Sequence, residues 1–361
     1  VLYVTVAGVY EMKLNGERVG DYVLAPGWTV YDKRHQYQEY NVTEMLRKEN
    51  ILDISVGNGW YRMRSADWMD VSLDPRRSSA AVIAQLEITY EDNRKETIIS
   101  DCSWLTAESK IRFCDLYDGE VYDSAFEPTE YKNAVRYAYE KDQLIKQEGE
   151  IIKEQERIKP IDVIISPKGE KIIDFGQNLT GYVEFSVNAK KGDMVEISHA
   201  EILDADGNFY TENYRSAKAQ ICYYCKNGRQ THKPSLTFFG FRYIRLDEFP
   251  GELNPQDFTA IVVHSDMKRT GMFHCSNMML NRLYRNIIRG QKSNFLDVPT
   301  DCPQRDERLG WTGDAQVFAL AASYNYDVEC FFAKWLNDLK ADQGKDGYVP
   351  RVIPNILQRT H

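Results

Sequence analysis

The hydrophobic period changes once along the chain, near residue 266, and that change narrows the architectures open to it. Before it, apolar and polar residues alternate in short runs, the period of half-buried strands. LYVTVAGVYEMKLNGERVG reads as two strands with Asn15-Gly16 as the hairpin turn between them. ILDISVGNGWY, AAVIAQLEITYEDN, KIIDFGQNLTGYVEFSV, DMVEISHAEIL and LTFFGFRYIRLDEF continue the pattern. Turn signals recur at intervals suited to β-sandwiches. NVTEMLRKEN is a short helix or turn with Thr43 as its N-cap. Beyond 266 the apolar residues recur at helical spacing. Met279, Leu280, Leu283, Ile287 and Ile288 follow a helix entry at Ser276 or Asn277. Further helices are expected over DAQVFALAASYNY and VECFFAKWLNDLKADQ, with DQGKDGY as a stop.

The expected architecture is multidomain: two β-sandwich domains, residues 1–150 and 151–265, then an all-α region over 266–361. The charged stretch YEKDQLIKQEGEIIKEQERIKP marks the first junction. In the second region, LDADGNFYTENYRSAKA is polar and Gly/Asn-rich, and reads as a binding loop more than a core element. The chain opens at VLYVTVAG with no Met and stops just after a helical run, so it reads as a portion of a longer polypeptide. On that reading the absent leader says nothing about export.

Composition excludes several functions. Hydrophobic residues are 43% and charged residues 27%, which is a folded chain rather than a disordered one. No apolar run approaches the roughly 20 residues of a membrane span. A net charge of -9 argues against a nucleic-acid groove and leaves neutral or cationic ligands open. Tyrosine alone contributes 23 residues, which suit strands and also the flat faces of sugars. Seven cysteines are too sparse for a disulfide framework. Cys222 and Cys225 form a CxxC in ICYYCK, but on a strand an i, i+3 pair points to opposite faces. The thiols therefore read as reduced, which points to the cytoplasm.

The chemistry concentrates in VPTDCPQRDERLGWTGDAQ, residues 298–316. Asp301, Arg305, Asp306, Glu307, Arg308 and Asp314 fall within fourteen positions, with Gly310, Trp311 and Gly313 between them. Prolines and glycines keep this stretch from forming a regular helix until after Gly313. Carboxylates that close repel unless arginines, a metal or a polyhydroxyl ligand hold them. A carboxyl beside other carboxylates and screened by Trp has its pKa raised and can donate a proton at neutral pH. Ionised carboxylates accept hydrogen bonds from sugar hydroxyls, and Arg305 and Arg308 can lock them by forked bonds. These parts fit glycoside hydrolysis through an oxocarbenium-like transition state. An ion-pair staple between helices and a divalent-metal site fit the same composition.

TDCPQRDERLGWTGDAQ resembles the signature of the bacterial α-L-rhamnosidases of glycoside hydrolase family 78. LNGERVGDYVLAPGWTVYDKRHQYQEYNVTEML, VGNGWYR and DGEVYD resemble that family's N-terminal β-sandwich; DFGQNLTGYVEF and FFGFRYIRL resemble its concanavalin-like sandwich. The resemblance spans the chain. It implies that the helices begin an (α/α)6 six-hairpin barrel. It implies inverting hydrolysis of terminal α-L-rhamnose, on a rhamnose-containing oligosaccharide or glycoside, with no cofactor in the reaction. Glu307 then corresponds to the general acid, and Asp301 and Asp314 to carboxylates that bind rhamnose hydroxyls. Arg305 orients these groups and Trp311 lines the pocket, with Asp306 and Arg308 as adjacent motif positions. In the family the general base is a Glu later in the barrel, and no residue of this chain corresponds to it. The alternative is an array of carbohydrate-binding modules without activity.

Some members of the family bind rhamnose through calcium in the first sandwich, which makes Asp21 and Asp70 candidate ligands, although turn positions on a sandwich rim are the preferred account of both. His199 and His264 fall in or near strands and read as structural. Trp60-Tyr61, after Gly57-Asn58-Gly59, reads as core or as a sugar platform.

Overall fold

Residues 1–64, 66, 68–69, 77 and 79–357 are described by the computed structural model. Alternation builds the first core. Leu2, Val4 and Val6 point inward from the strand Leu2–Val6, and Tyr10, Met12 and Leu14 from Val9–Leu14. The two strands enter different sheets. The first lies between His35–Tyr40 and Val82–Thr89 in a five-stranded sheet. The second pairs with Glu17–Arg18 and Leu52–Gly57 in a three-stranded one. The sequence run expected to be one strand is thus broken at Ala7-Gly8 and feeds both layers of a shared core. The hairpin falls at Asn15-Gly16, where both residues adopt φ > 0 (+56° and +84°), as a type I′ turn requires.

The expected cap at Thr43 is corrected. Thr43–Met45 is a single 3₁₀ turn, and Asn41 Oδ1 accepts from both the amide and the hydroxyl of Thr43. Asn is the better local acceptor because its carbonyl reaches the amide two residues on.

A ten-stranded sheet carries the middle of the chain. Its long member, Lys171–Ala189, pairs with Phe239–Glu248, Phe258–Ser265, Asp162–Ile165 and Gly228–His232. The sheet extends through Met194–Ala200 and Gln220–Tyr224 to Gly119–Asp123 and Ile111–Asp115. Those last two strands precede residue 150, so hydrogen bonding crosses the expected boundary there. The reason lies in the parallel ladder of Gly119–Asp123 with Gln220–Tyr224, a pairing that local patterning does not reveal. Cys222 lies in this sheet and contacts Glu196, while Cys225 is buried just beyond the strand.

Three helices follow: α1, Met278–Asn294; α2, Thr312–Asn325; and α3, Glu329–Asp342. Asn277 caps α1, accepting from the amides of Met279 and Leu280. Of the five apolar residues in the helical pattern, Ile288 is buried, whereas Met279 is 81% and Leu283 54% exposed. Val317 and Leu320 of α2 are exposed as well. No described helix is long and apolar enough to cross a membrane.

The regions meet at charged seams. The 24–34 segment of the first region lies against α3, where Trp28 C=O accepts from Lys334 and Arg34 Nε donates to Asp338 Oδ1 at 3.1 Å. Thr180 Oγ1 of the ten-stranded sheet donates to Ser293 C=O at the end of α1.

Candidate active site

The 298–316 segment leaves the short strand Val298–Pro299, loops back on itself and enters α2 at Thr312. The helix starts slightly earlier than its glycines suggest, so Gly313 lies in the first turn. The neck of the loop is closed reciprocally. Asp301 N–H donates to Leu309 C=O at 3.1 Å, and Leu309 N–H returns to Asp301 Oδ1 at 2.9 Å. Where the loop ends, Gly310 lies under the segment around Ile353. A Cβ at Gly310 would sit 2.3 Å from Ile353 O, so the position has no room for a side chain.

Arg308 organises the underside of this loop. It is 2% exposed and adopts φ +55°, which costs a non-glycine residue about 1 kcal/mol or more. Its guanidinium offsets that cost by donating to four carbonyls: Gln304 and Arg305 in the loop, and Leu116 and Phe238 just outside the strands Ile111–Asp115 and Phe239–Glu248. The Tyr117 and Phe238 rings flank it at 5.4 and 4.8 Å. These bonds use its fork on backbone rather than on a carboxylate. The expectation that Arg308 locks an acidic group of the motif is corrected accordingly. Asp306 is also turned inward. It is 1% exposed, with Oδ2 accepting from Ser216 Oγ at 2.7 Å and its carbonyl accepting from Trp68 Nε1 at 2.9 Å.

The upper face gathers Asp301, Arg305, Glu307 and Trp311. Arg305 spans two carboxylates, Nη2 to Asp301 Oδ2 at 3.2 Å and Nε to Glu307 Oε2 at 3.0 Å. Trp311 Nε1 donates to Glu307 Oε1 at 3.0 Å, and Tyr117 OH fixes the Glu307 carbonyl at 2.7 Å. Burial pushes the Asp301 carboxyl above its ordinary value, against the opposing pull of Cys302, the Leu309 amide and Arg305.

Asp301, Cys302 and Glu307 bring ligand atoms within 4.8 Å of one another. A metal is a poor occupant there. Arg305 already supplies the cation between the carboxylates, and burial pushes the Cys302 thiol upward, which disfavours the thiolate a metal would bind.

A cleft of about 620 Å³ opens beside this cluster, between α1 and α2. Ile287, Gln291, Asn294, Asp301, Asp314 and Phe318 are among its lining residues. Asp314 is exposed in the first turn of α2. Asp301 therefore belongs both to the cleft wall and to the Arg305–Glu307 cluster, while Glu307 and Trp311 stand behind it.

Three contributors were not singled out from sequence. Arg215, in the polar 203–219 excursion, places Nη2 3.1 Å from Glu307 Oε2 and Nη1 3.7 Å from Asp306 Oδ1. Trp68 comes from the first region. Glu201 follows the strand Met194–Ala200, and burial pushes its carboxyl up to about 7 although Arg305 and Arg308 oppose the shift. Only the excursion carried a sequence signal, as a polar loop.

Other candidates resolve elsewhere. Trp60 and Tyr61 are core: Trp60 stacks on Trp28 at 5.9 Å and Tyr61 packs edge-on to Tyr31. His199 stacks on Phe239 and bonds the Ala219 carbonyl, and burial lowers it to about 3, so it is a neutral structural ring. His264 is buried and bonds the Ser265 carbonyl. Asp21 pairs with Lys153 at 3.0 Å. Asp70 lies outside the described residues.

Three family models match consecutive stretches of the chain: the alpha-L-rhamnosidase N-terminal domain over 1–162, the bacterial alpha-L-rhamnosidase concanavalin-like domain over 165–264, and the bacterial alpha-L-rhamnosidase 6 hairpin glycosidase domain over 268–361. An alpha-L-rhamnosidase of Streptomyces avermitilis is 40% identical over 98% of the chain, and one of Formosa agariphila is 38% identical over 99%. The chain spans 35% and 40% of the length of these two curated relatives. Among solved structures, native α-L-rhamnosidase from Aspergillus terreus superposes with TM-score 0.94 at 37% identity, over 100% of this chain and 43% of that one. The Streptomyces avermitilis enzyme complexed with L-rhamnose gives 0.92 at 39%, over 98% and 36%.

Proposed function

The chain belongs to the bacterial α-L-rhamnosidase family, and from that premise we propose that it supplies the proton-donating half of an inverting rhamnoside hydrolase. The observation that carries this reading is Glu307, fixed by Trp311 and Arg305 beside Asp301, which itself lines the cleft between α1 and α2. Rhamnose occupies the cleft. Asp301 and Asp314 accept its hydroxyls, and Arg305 holds Asp301 and Glu307 in register. Trp311 orients the acid through its indole N–H and offers an apolar edge to the sugar. Asp306 and Arg308 hold the loop from below and do not touch substrate.

In the reaction Glu307 transfers its proton to the glycosidic oxygen as the C1–O bond breaks. Water adds to C1 from the opposite face and gives its proton to a second carboxylate. Inversion needs the two carboxyls roughly 6.5–9.5 Å apart so that water fits between. Asp301 and Glu307 approach within 4.8 Å, too close for that water, so Asp301 is assigned to hydroxyl binding. We assign the base to a residue outside the 298–316 loop.

We also assign the finer fold. The five- and three-stranded sheets share one core, which supports a sandwich, and the ten-stranded sheet is assigned to a concanavalin-like sandwich. The exposed apolar residues of α1 and α2 suit burial against further helices, as in a six-hairpin barrel. A purely carbohydrate-binding array would give no reason for an acid so tightly oriented.

The test is Glu307→Gln in the intact protein. Hydrolysis of 4-nitrophenyl α-L-rhamnoside should fall by about 10³-fold or more with the melting temperature unchanged. Proton NMR of the first-formed product should show β-L-rhamnose. Near-wild-type turnover by the variant would remove Glu307 from its role.

A further inference from the structure

An acid that protonates a glycosidic oxygen has the sugar on one side and the leaving group on the other. Contacts through Glu307 distinguish the two sides. Toward the cleft, Oε2 accepts from Arg305, which continues to Asp301. The same oxygen meets Arg215 at 3.1 Å, the Arg215 guanidinium stands 5.6 Å from the centroid of the Trp68 ring, and neither residue lines the cleft.

We propose that Trp68 and Arg215 form the subsite for the leaving group, and that it takes a flat, hydroxyl-bearing aglycone. The proposal rests on the functional reading above and extends it to the second half of the substrate. Trp68 is 40% exposed, so part of its indole is accessible to a ligand. Its N–H is tied to the Asp306 carbonyl at 2.9 Å, so the ring is held rather than free to turn away. A fixed, open aromatic face is what stacks on an aryl ring or on the apolar face of a sugar. Arg215 has a side chain 43% exposed and a fork with more donors than its partners use. Those donors can meet the hydroxyls at the edge of a stacked ligand.

Neither residue belongs to the helical region. Trp68 comes from the first region and Arg215 from the loop after the short strand Phe209–Tyr210. The sugar is thus recognised by the motif and the leaving group by its neighbours, so one can vary without the other.

The test compares leaving groups in the intact protein. α-L-Rhamnosyl fluoride has a leaving group too small to reach Trp68; 4-nitrophenyl α-L-rhamnoside and a rhamnosyl-glucose disaccharide reach it. Trp68→Ala should lower the ratio of kcat/KM for either larger substrate to that for the fluoride by about five- to tenfold. Trp68→Phe, which keeps a face but loses the N–H, should hold that ratio within about twofold of wild type, separating stacking from loop support. Arg215→Ala should lower the ratio too, and Arg215→Lys should restore part of it. Inhibition by free L-rhamnose should be unchanged in the Trp68 variants. A larger loss with the aryl substrate or with the disaccharide identifies the preferred aglycone, and either supports the subsite. An equal loss on fluoride and larger substrates, or a parallel weakening of L-rhamnose inhibition, would overturn it. A wild-type protein that hydrolyses none of the three overturns the functional reading instead.

Discussion

Lys334 and Asp297 face each other at 2.8 Å with side chains only 2% and 4% exposed, so the protein seals an ion pair away from water. Asp297 Oδ2 also accepts the Trp28 amide at 2.5 Å, and Lys334 donates to the Trp28 carbonyl. Asp338, fully buried one turn further along α3, places Oδ2 3.5 Å from Lys334 Nζ. The pair therefore fastens the first region, the strand turn before the motif and α3 at one point. A buried charge is tolerated only while its partner stays.

Replacing Lys334 by Met should leave Asp297 without its cation, while Asp338 keeps Arg34. Unfolding free energy should fall by about 3–5 kcal/mol, read from urea denaturation. Adding Asp297→Asn to that variant should recover part of the loss. A single-variant cost below about 1 kcal/mol would show that water reaches the pair.

Arg308→Lys keeps the charge and discards the fork. One ammonium cannot reach four carbonyls set around a planar group, so buried acceptors go unpaired. Stability should drop by about 2–3 kcal/mol, and turnover should fall with it because the loop neck loosens. The measurement is thermal unfolding alongside rhamnoside hydrolysis. A drop in activity at unchanged stability would mean that Arg308 meets substrate after all.

Glu201 predicts a pH effect. Its ordinary value is 4.5 and burial raises it to about 7 in the fold. The unfolded chain ionises this carboxyl from 4.5 upward while the fold keeps it protonated. Stability contributed by the neutral form is present below pH 4.5 and is lost as pH rises to 7. Above that the deficit is constant, at most about 3 kcal/mol. Glu201→Gln should therefore stabilise the protein at pH 8 and not at pH 4, as chemical denaturation at both values can check. An equal effect at both would sever the link to ionisation.

The two glycines of the motif separate by sterics. Gly310→Ala must push the backbone around Ile353 aside, at a cost of about 2 kcal/mol or more. Gly313 has open space where a Cβ would go, and it lies in the first turn of α2. Gly313→Ala should be neutral or stabilise by up to about 1 kcal/mol. Melting temperatures of the two variants give the comparison.

Much of this was legible in the sequence where the cause is local. Asn15-Gly16 marks its turn because type I′ geometry needs positive φ at both positions, and Asn277 marks the start of α1 because a short polar side chain reaches two orphan amides. The motif exposed Asp301, Arg305, Glu307 and Trp311 as neighbours because a tight loop keeps nearby residues together. What stayed hidden comes from segments distant in sequence. Arg308 reads as a carboxylate clamp until Leu116 and Phe238 arrive beneath it. Trp68 and Arg215 are 147 positions apart (215 − 68) and meet only once the first and second regions have docked. The apolar pattern of α1 gave its helical period, but not which side would face outward: Met279 and Leu283 are exposed while Ile288 is buried.

The roots of Arg308 reach into two other parts of the chain, at Leu116 and Phe238. A reaction centre anchored that way cannot be shuffled between proteins as a self-contained cassette. Grafting the helical unit onto a foreign scaffold would strand the guanidinium without half of its acceptors. Inheritance of the three parts as a block follows from this one side chain, and a truncation that spares every residue of the motif would still dismantle it.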